Sequence, residues 1–172
     1  MTLERNIAKA FALDDMTWRR HANPWSVALR NTALPLLVLA IWSRLWLGWY
    51  ALIPLAIAIL WIWYNPRIFP EPTSFDHWAS KAVFGERVWL NRDSVPVPAH
   101  HRKVPKVLSA VSGIGMLFVF WGILVFDPWP TLFGMALVYA GKLWFLDRMA
   151  WLWEDMRNNP AYSRLASLPD RE

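Results

Sequence analysis

The chain reads as an all-α membrane protein: a four-span transmembrane helix bundle with a cytoplasmic cap of interfacial helices. Two observations predict the class. Thr32 to Tyr64 is a run of 33 residues whose only charge is Arg44, and Val107 to Phe126 is 20 residues with no charge at all. A hydrocarbon core about 30 Å thick takes roughly 20 apolar residues in a helix. A third observation sets the orientation: 16 of the 18 Lys and Arg fall in the N-terminal flank, the central segment and the C-terminal tail.

The elements follow in order. Residues 1–22 form a cytoplasmic segment in which Leu3, Ile7 and Phe11 lie one helical step apart, with Ala8 and Ala12 beside them. Glu4, Arg5, Lys9, Asp14, Asp15, Arg19 and Arg20 leave no room for an apolar leader core, so no cleavable signal is expected. Span one covers residues 24–42 and opens at Asn23-Pro24, a side-chain cap followed by proline in the first turn. Ser43-Arg44 turns the chain into span two, residues 46–64, which Asn65-Pro66 should stop. Pro35 and Pro54 should kink these spans and free carbonyls near Asn31 and Tyr50.

Residues 65–105 are too polar to span. Within them Phe75, Trp78, Ala79, Ala82 and Val83 mark an amphipathic helix, with Ser74 placed to cap its start and Gly85 to end it. That helix is expected to lie in the membrane interface. Pro-rich connectors on both sides should be extended and semi-rigid. Span three covers residues 106–126, and Asp127-Pro128-Trp129-Pro130 breaks the chain. Span four covers residues 131–147 and points onward into a cytoplasmic tail, residues 148–172. Ser109-x-x-x-Gly113 followed by Gly113-x-Gly115, and Ala136-x-x-x-Ala140 followed by Gly141, are small faces on which these two spans could meet.

With four spans, both termini and the central loop share a side, and the positive-inside rule makes that side the cytoplasm. The expected location is the cell inner membrane. Trp42, Trp46, Trp49 and Trp129 fall at the outer ends of spans, and Trp25, Trp61, Trp63 and Trp144 at the inner ends, as interfacial anchors do. The basic balance fits anionic lipid headgroups better than nucleic acid, which is not expected as a partner. Absence of Cys excludes disulfides and thiolate metal sites.

Chemistry-bearing residues gather on the cytoplasmic side. Lys142 is the only ionisable side chain well inside a span, placed to snorkel or to pair with Asp147 or a neighbouring helix. Glu86, Arg87, Asp147, Arg148, Trp151 and Glu154 form a candidate polar seam or anionic-ligand pocket, in which Arg148 could meet Glu86. His77, His100 and His101 are weak metal-ligand candidates, because no spacing among them is diagnostic. No H-E-x-x-H, Gly-rich phosphate loop or Ser-centred elbow is present, and no cofactor is expected.

Four blocks carry a resemblance: His21-Ala-Asn-Pro-Trp-Ser26, Asn65-Pro-Arg-Ile-Phe-Pro-Glu-Pro72, Trp78 through Leu90, and Lys142-Leu-Trp-Phe-Leu-Asp-Arg-Met149. Together they resemble a family of small Trp-rich prokaryotic multi-pass membrane proteins, known only as a domain of unknown function. The likeness spans roughly residues 15 to 160 and implies a free-standing integral membrane protein without an assigned activity. The residues therefore favour a non-catalytic accessory or lipid-binding component, with the bilayer and a membrane protein as partners. The alternative is a small membrane-embedded enzyme acting on a lipophilic substrate at the cytoplasmic interface.

Overall fold

The computed structural model describes residues 15–162. The expected amphipathic pattern around Leu3, Ile7 and Phe11 lies outside them. All regular structure among the described residues is helical: α1 (Asp15–His21), α2 (Pro24–Arg30), α3 (Ala33–Trp42), α4 (Arg44–Leu47), α5 (Leu52–Ile68), α6 (Trp78–Leu90), α7 (Lys103–Val125) and α8 (Pro128–Met156). Short 3-10 turns precede α5 and α7, at Gly48–Ala51 and Ala99–His101. Two helical stretches, Pro24–Asn65 and Ala99–Val125, are long and apolar enough to cross a membrane.

Asn23 caps α2 as its sequence demands, its side chain accepting from the Trp25 N–H at 2.9 Å, with Pro24 in the first turn. The helix then breaks at Asn31-Thr32. Pro35 has no N–H to give the Asn31 carbonyl four residues back, and the Tyr139 hydroxyl donates to that oxygen instead. The carbonyl freed near Asn31 is thus real. Its counterpart at Pro54 is not, because α5 begins at Leu52 and puts Pro54 in the first turn, where a missing N–H is harmless. Nor does Asn65-Pro66 stop this helix. Buried Asn65 is held by the Ser26 hydroxyl, which donates to its Oδ1 at 3.0 Å, and the helix continues to Ile68.

The second hairpin is tighter. Phe126 adopts the left-handed conformation (φ 51°), and Asp127 caps α8 by accepting from the Trp129 N–H at 2.9 Å. The breaker is therefore a two-residue hairpin turn. Its helices do meet on small residues, Gly115 and Gly141 among them as expected. The rest of the expected faces stay out of the contact: Gly113 has open space around it, and Ser109, Ala136 and Ala140 are exposed. Contact runs through Leu108, Gly115 and Gly122 on α7 against Thr131, Gly134 and Gly141 on α8, with the glycines seven residues apart on each helix. A Cβ on Gly115 would lie 2.8 Å from the Gly134 carbonyl oxygen, so the backbones touch. A heptad period is that of a left-handed pair.

The two hairpins bury little. Leu52, Ile53, Ile57, Ile59 and Leu60 on α5, and Leu117, Phe120, Trp121 and Leu124 on α7, are exposed. The Trp42 ring meets Phe126 edge-on at 6.2 Å, so both hairpin turns sit at the same end. At the opposite end the relation inverts into a dense core of Trp18, Phe75, Val83, Phe84, Val88, Trp89, Met149, Leu152, Trp153 and Met156.

Helix α6 belongs to that core. Eight of its 13 residues are buried, so it is a packed element and not the interfacial helix its pattern predicted. Its start is capped by His77, whose Nδ1 accepts from the Ala79 N–H at 3.1 Å, in place of Ser74. Gly85 does not end it. It sits mid-helix against α8, where an added Cβ would fall 2.9 Å from the Met149 Cα and nearer still to the Met149 carbonyl. A glycine in a crossing looks like a terminator in sequence, because both roles need a missing side chain.

Candidate functional site

Where α2 breaks into α3, a cavity of about 190 Å³ opens between those helices, α6 and α8. Val27, Leu34, Val138 and Leu146 make its apolar wall; Arg30, Glu86, Tyr139 and Lys142 supply its polar atoms.

Lys142 neither snorkels freely nor pairs with Asp147. Its Nζ donates to Glu86 Oε1 at 2.6 Å, across from α8 to α6. Arg30 Nη1 lies 3.2 Å from His21 Nδ1. An arginine can only donate, so Nδ1 is the acceptor and the proton of neutral His21 sits on Nε2. Burial, then the charges of Arg30 and Lys142, hold the His21 imidazole well below its ordinary pKa. Burial alone would raise the Glu86 carboxyl, but Lys142 and Arg30 outweigh it and hold it below the ordinary carboxylate value. The pocket thus contains two cations and one carboxylate, with the neutral His21 against Arg30: a net positive charge within apolar walls.

The predicted seam residues are dealt out along α6 and α8 instead of converging. Glu86 meets Lys142 and not Arg148. The Arg148 guanidinium stacks over the Trp151 ring at 4.6 Å, as their helical spacing allows. Asp147 Oδ1 accepts from Trp78 Nε1 at 3.3 Å. Glu154 is paired with Lys81 at 2.5 Å and with Arg157 at 3.2 Å. Arg87 lies 6.0 Å from the Trp18 ring centre. Among the metal candidates, His77 is spent as a helix cap, while His100 and His101 converge on Asp155. Arg30 and Tyr139 are the pocket residues that the sequence did not single out. The signal for Tyr139 was present: a proline at 35 demands a donor for the carbonyl at 31.

The four sequence blocks that carried the resemblance pair off in space. His21–Ser26 faces Asn65–Pro72 through Ser26 to Asn65, through Asn23 Nδ2 to the Pro70 carbonyl at 3.0 Å, and through Arg19 to Glu71 at 3.0 Å. Trp78–Leu90 faces the Lys142–Met149 block through Trp78 to Asp147, Gly85 to Met149 and Glu86 to Lys142. The blocks are two interfaces, and the second supplies Glu86, Lys142 and Leu146 to the pocket. The sequence profile of the Family of unknown function (DUF6653) matches residues 2–169, so the chain belongs to that family. No curated protein and no solved structure matches it.

Proposed function

With that membership as the premise, we propose that the protein is a non-catalytic, four-span component of the inner membrane. Its termini and core lie in the cytoplasm, and its pocket holds an anionic lipid. The topology is supported by the girdles: Trp46, Trp49 and Trp129 are at least 76% exposed at the turn end, and Trp25, Trp63, Trp144 and Trp151 are exposed toward the other. Helix α7 is about 34 Å long at 1.5 Å per residue, enough for a hydrocarbon core of about 30 Å. Helix α8 is about 43 Å long, so its last two turns or so stand clear of that core. Those turns carry Met149, Leu152, Trp153 and Met156 into the cytoplasmic core.

The observation that carries the ligand is the charge balance of the pocket. Arg30 and Lys142 face one carboxylate, roughly 20 Å along the helices from the hairpin turns. In that layer an uncompensated cation is costly, and a lipid phosphate or carboxylate relieves it. Val27, Leu34, Val138 and Leu146 offer an apolar track for the tail of the same molecule.

Native mass spectrometry of the full chain, extracted from its own membrane in mild detergent, tests this. Wild type should retain one anionic lipid, and Arg30→Gln or Lys142→Gln should lose it while Arg148→Ala keeps it. Equal retention of neutral lipids, or no loss in the pocket variants, would overturn the proposal. Chemical change of the retained molecule during incubation would favour the enzyme reading.

A further inference from the structure

Away from the pocket, the start of α7 and the end of α8 are drawn together by three side chains. His100 and His101 follow each other in the 3-10 turn Ala99–His101, and their rings lie 4.2 Å apart, tilted by 44°. Both aim Nε2 at one oxygen: His100 at 3.1 Å and His101 at 2.8 Å from Asp155 Oδ2. The three ligand-capable atoms all lie within 4.8 Å of one another.

We propose that His100, His101 and Asp155 form a binding site for a borderline divalent transition-metal ion of the Zn²⁺ type. The distances carry the argument. Ligand bonds of about 2.0–2.1 Å to imidazole nitrogen and carboxylate oxygen put neighbouring ligand atoms roughly 3.0 Å apart at a right angle, and about 3.4 Å at a tetrahedral one. The observed 2.8 and 3.1 Å nitrogen-to-oxygen separations match the tighter arrangement, and the two imidazole nitrogens lie within 4.8 Å of each other, so rotation of the exposed His100 side chain completes the set. The donor set selects the class: two imidazoles favour zinc, nickel, copper or iron, whereas magnesium and calcium want oxygen throughout.

Burial makes the arrangement asymmetric. The His101 side chain is only 3% exposed and fixed by its surroundings, whereas His100 and Asp155 are 68% and 49% exposed. Two ligands therefore border water, leaving room for a solvent or exogenous ligand on the ion. In the metal-free protein each imidazole that donates to Asp155 carries its proton on Nε2. Binding needs that nitrogen as a lone pair, so the proton moves to Nδ1. Occupancy would join the base of the α7–α8 hairpin between residues 54 positions apart and brace the last turn of α8 against the connector.

The test uses full-length, tag-free protein in detergent, stripped with a chelator and titrated with ZnCl₂ against a chromophoric competitor. One equivalent should bind at pH 7.5. Asp155→Ala and His100→Ala should each weaken it at least about ten-fold, a loss that even outer-shell changes reach. His100 is exposed, so its variant leaves folding intact; His77→Ala should keep full affinity. Lack of saturable one-to-one binding, or equal binding by wild type and His100→Ala, would overturn the proposal.

Discussion

Replacing Gly85 by alanine puts the crossing of α6 and α8 under direct test. The new Cβ would fall 2.5 Å from the Met149 carbonyl carbon and 2.9 Å from its Cα, inside the 3.0 Å that real Cβ atoms essentially never breach. The obstacle is backbone within a helix, so no rotamer change relieves it and the helices must part by roughly 1 Å. A gap of that size forfeits a quarter to a half of each dispersion contact across the seam. With about a dozen such contacts for each of Phe84, Val88, Met149 and Leu152, at ~0.15 kcal/mol apiece, the loss is about 3 kcal/mol. Alanine returns about 1 kcal/mol of helix propensity, leaving a net destabilisation of about 2 kcal/mol. That corresponds to a fall of roughly 4–8 °C in melting temperature for a chain of this size. Intrinsic tryptophan fluorescence on heating in detergent reads it. Gly113→Ala is the matched control, since that glycine has nothing within 4 Å. A Gly85→Ala protein that melts with or above wild type would refute the reasoning.

Tyr139→Phe should cost about 1 kcal/mol, toward the upper part of the range for hydrogen bonds between membrane helices. The cost should shrink in a Pro35→Ala background, where an N–H becomes available to Asn31; equal costs in both would disconnect the tyrosine from the proline. Glu86→Gln should destabilise the protein more than the Lys142→Gln/Glu86→Gln pair does relative to Lys142→Gln, because the single change strands cations that the carboxylate balances; denaturant titration of the cycle decides it. His21 gives a pH signature. Its folded pKa lies below the ordinary value near 6.5, so the unfolded chain takes up the proton first and stability falls as pH drops through and below 6.5. The stability carried by Glu86 is present above its unfolded value near 4.5 and is lost only at lower pH, as its depressed folded pKa is crossed. Wild type should therefore lose stability between pH 7 and 5 more steeply than His21→Gln; parallel slopes would dismiss the buried neutral imidazole.

What could be read from sequence depended on whether the deciding partner was near in the chain. Asn23-Pro24 specifies its cap within two residues and was legible; Asp127-Pro128 was read as a break, and it also caps α8, which begins at Pro128. The all-helical class followed from the apolar runs. Asn65-Pro66 misled because its local breaking tendency is overridden by Ser26, 39 residues away. Gly85 misled for the same reason, its explanation lying on α8 at Met149. Helix pairing was legible at Gly115 and Gly141; Gly122 and Gly134, each seven residues from one of them, were not read with them, and the four-residue motifs beside them proved exposed. Of the pocket, Glu86 and Lys142 were singled out separately; only the fold shows them as one pair with Arg30 beside them. Asp155 was one acid among several until α8 proved long enough to bring it to the histidines.

The packing of α6 on the far end of α8 has a consequence for the making of the protein. Synthesis runs from the N-terminus, so Trp89 is finished 67 residues before Met156 arrives to cover it, and Phe84 and Val88 earlier still. At roughly 5–20 residues per second the wait is about 3–13 s, during which both helices of the second hairpin are made. For that interval the half-built core stands with its apolar side chains and its glycine notch uncovered. The core is therefore completed late, and its maturation waits on the hairpin whose final helix closes it.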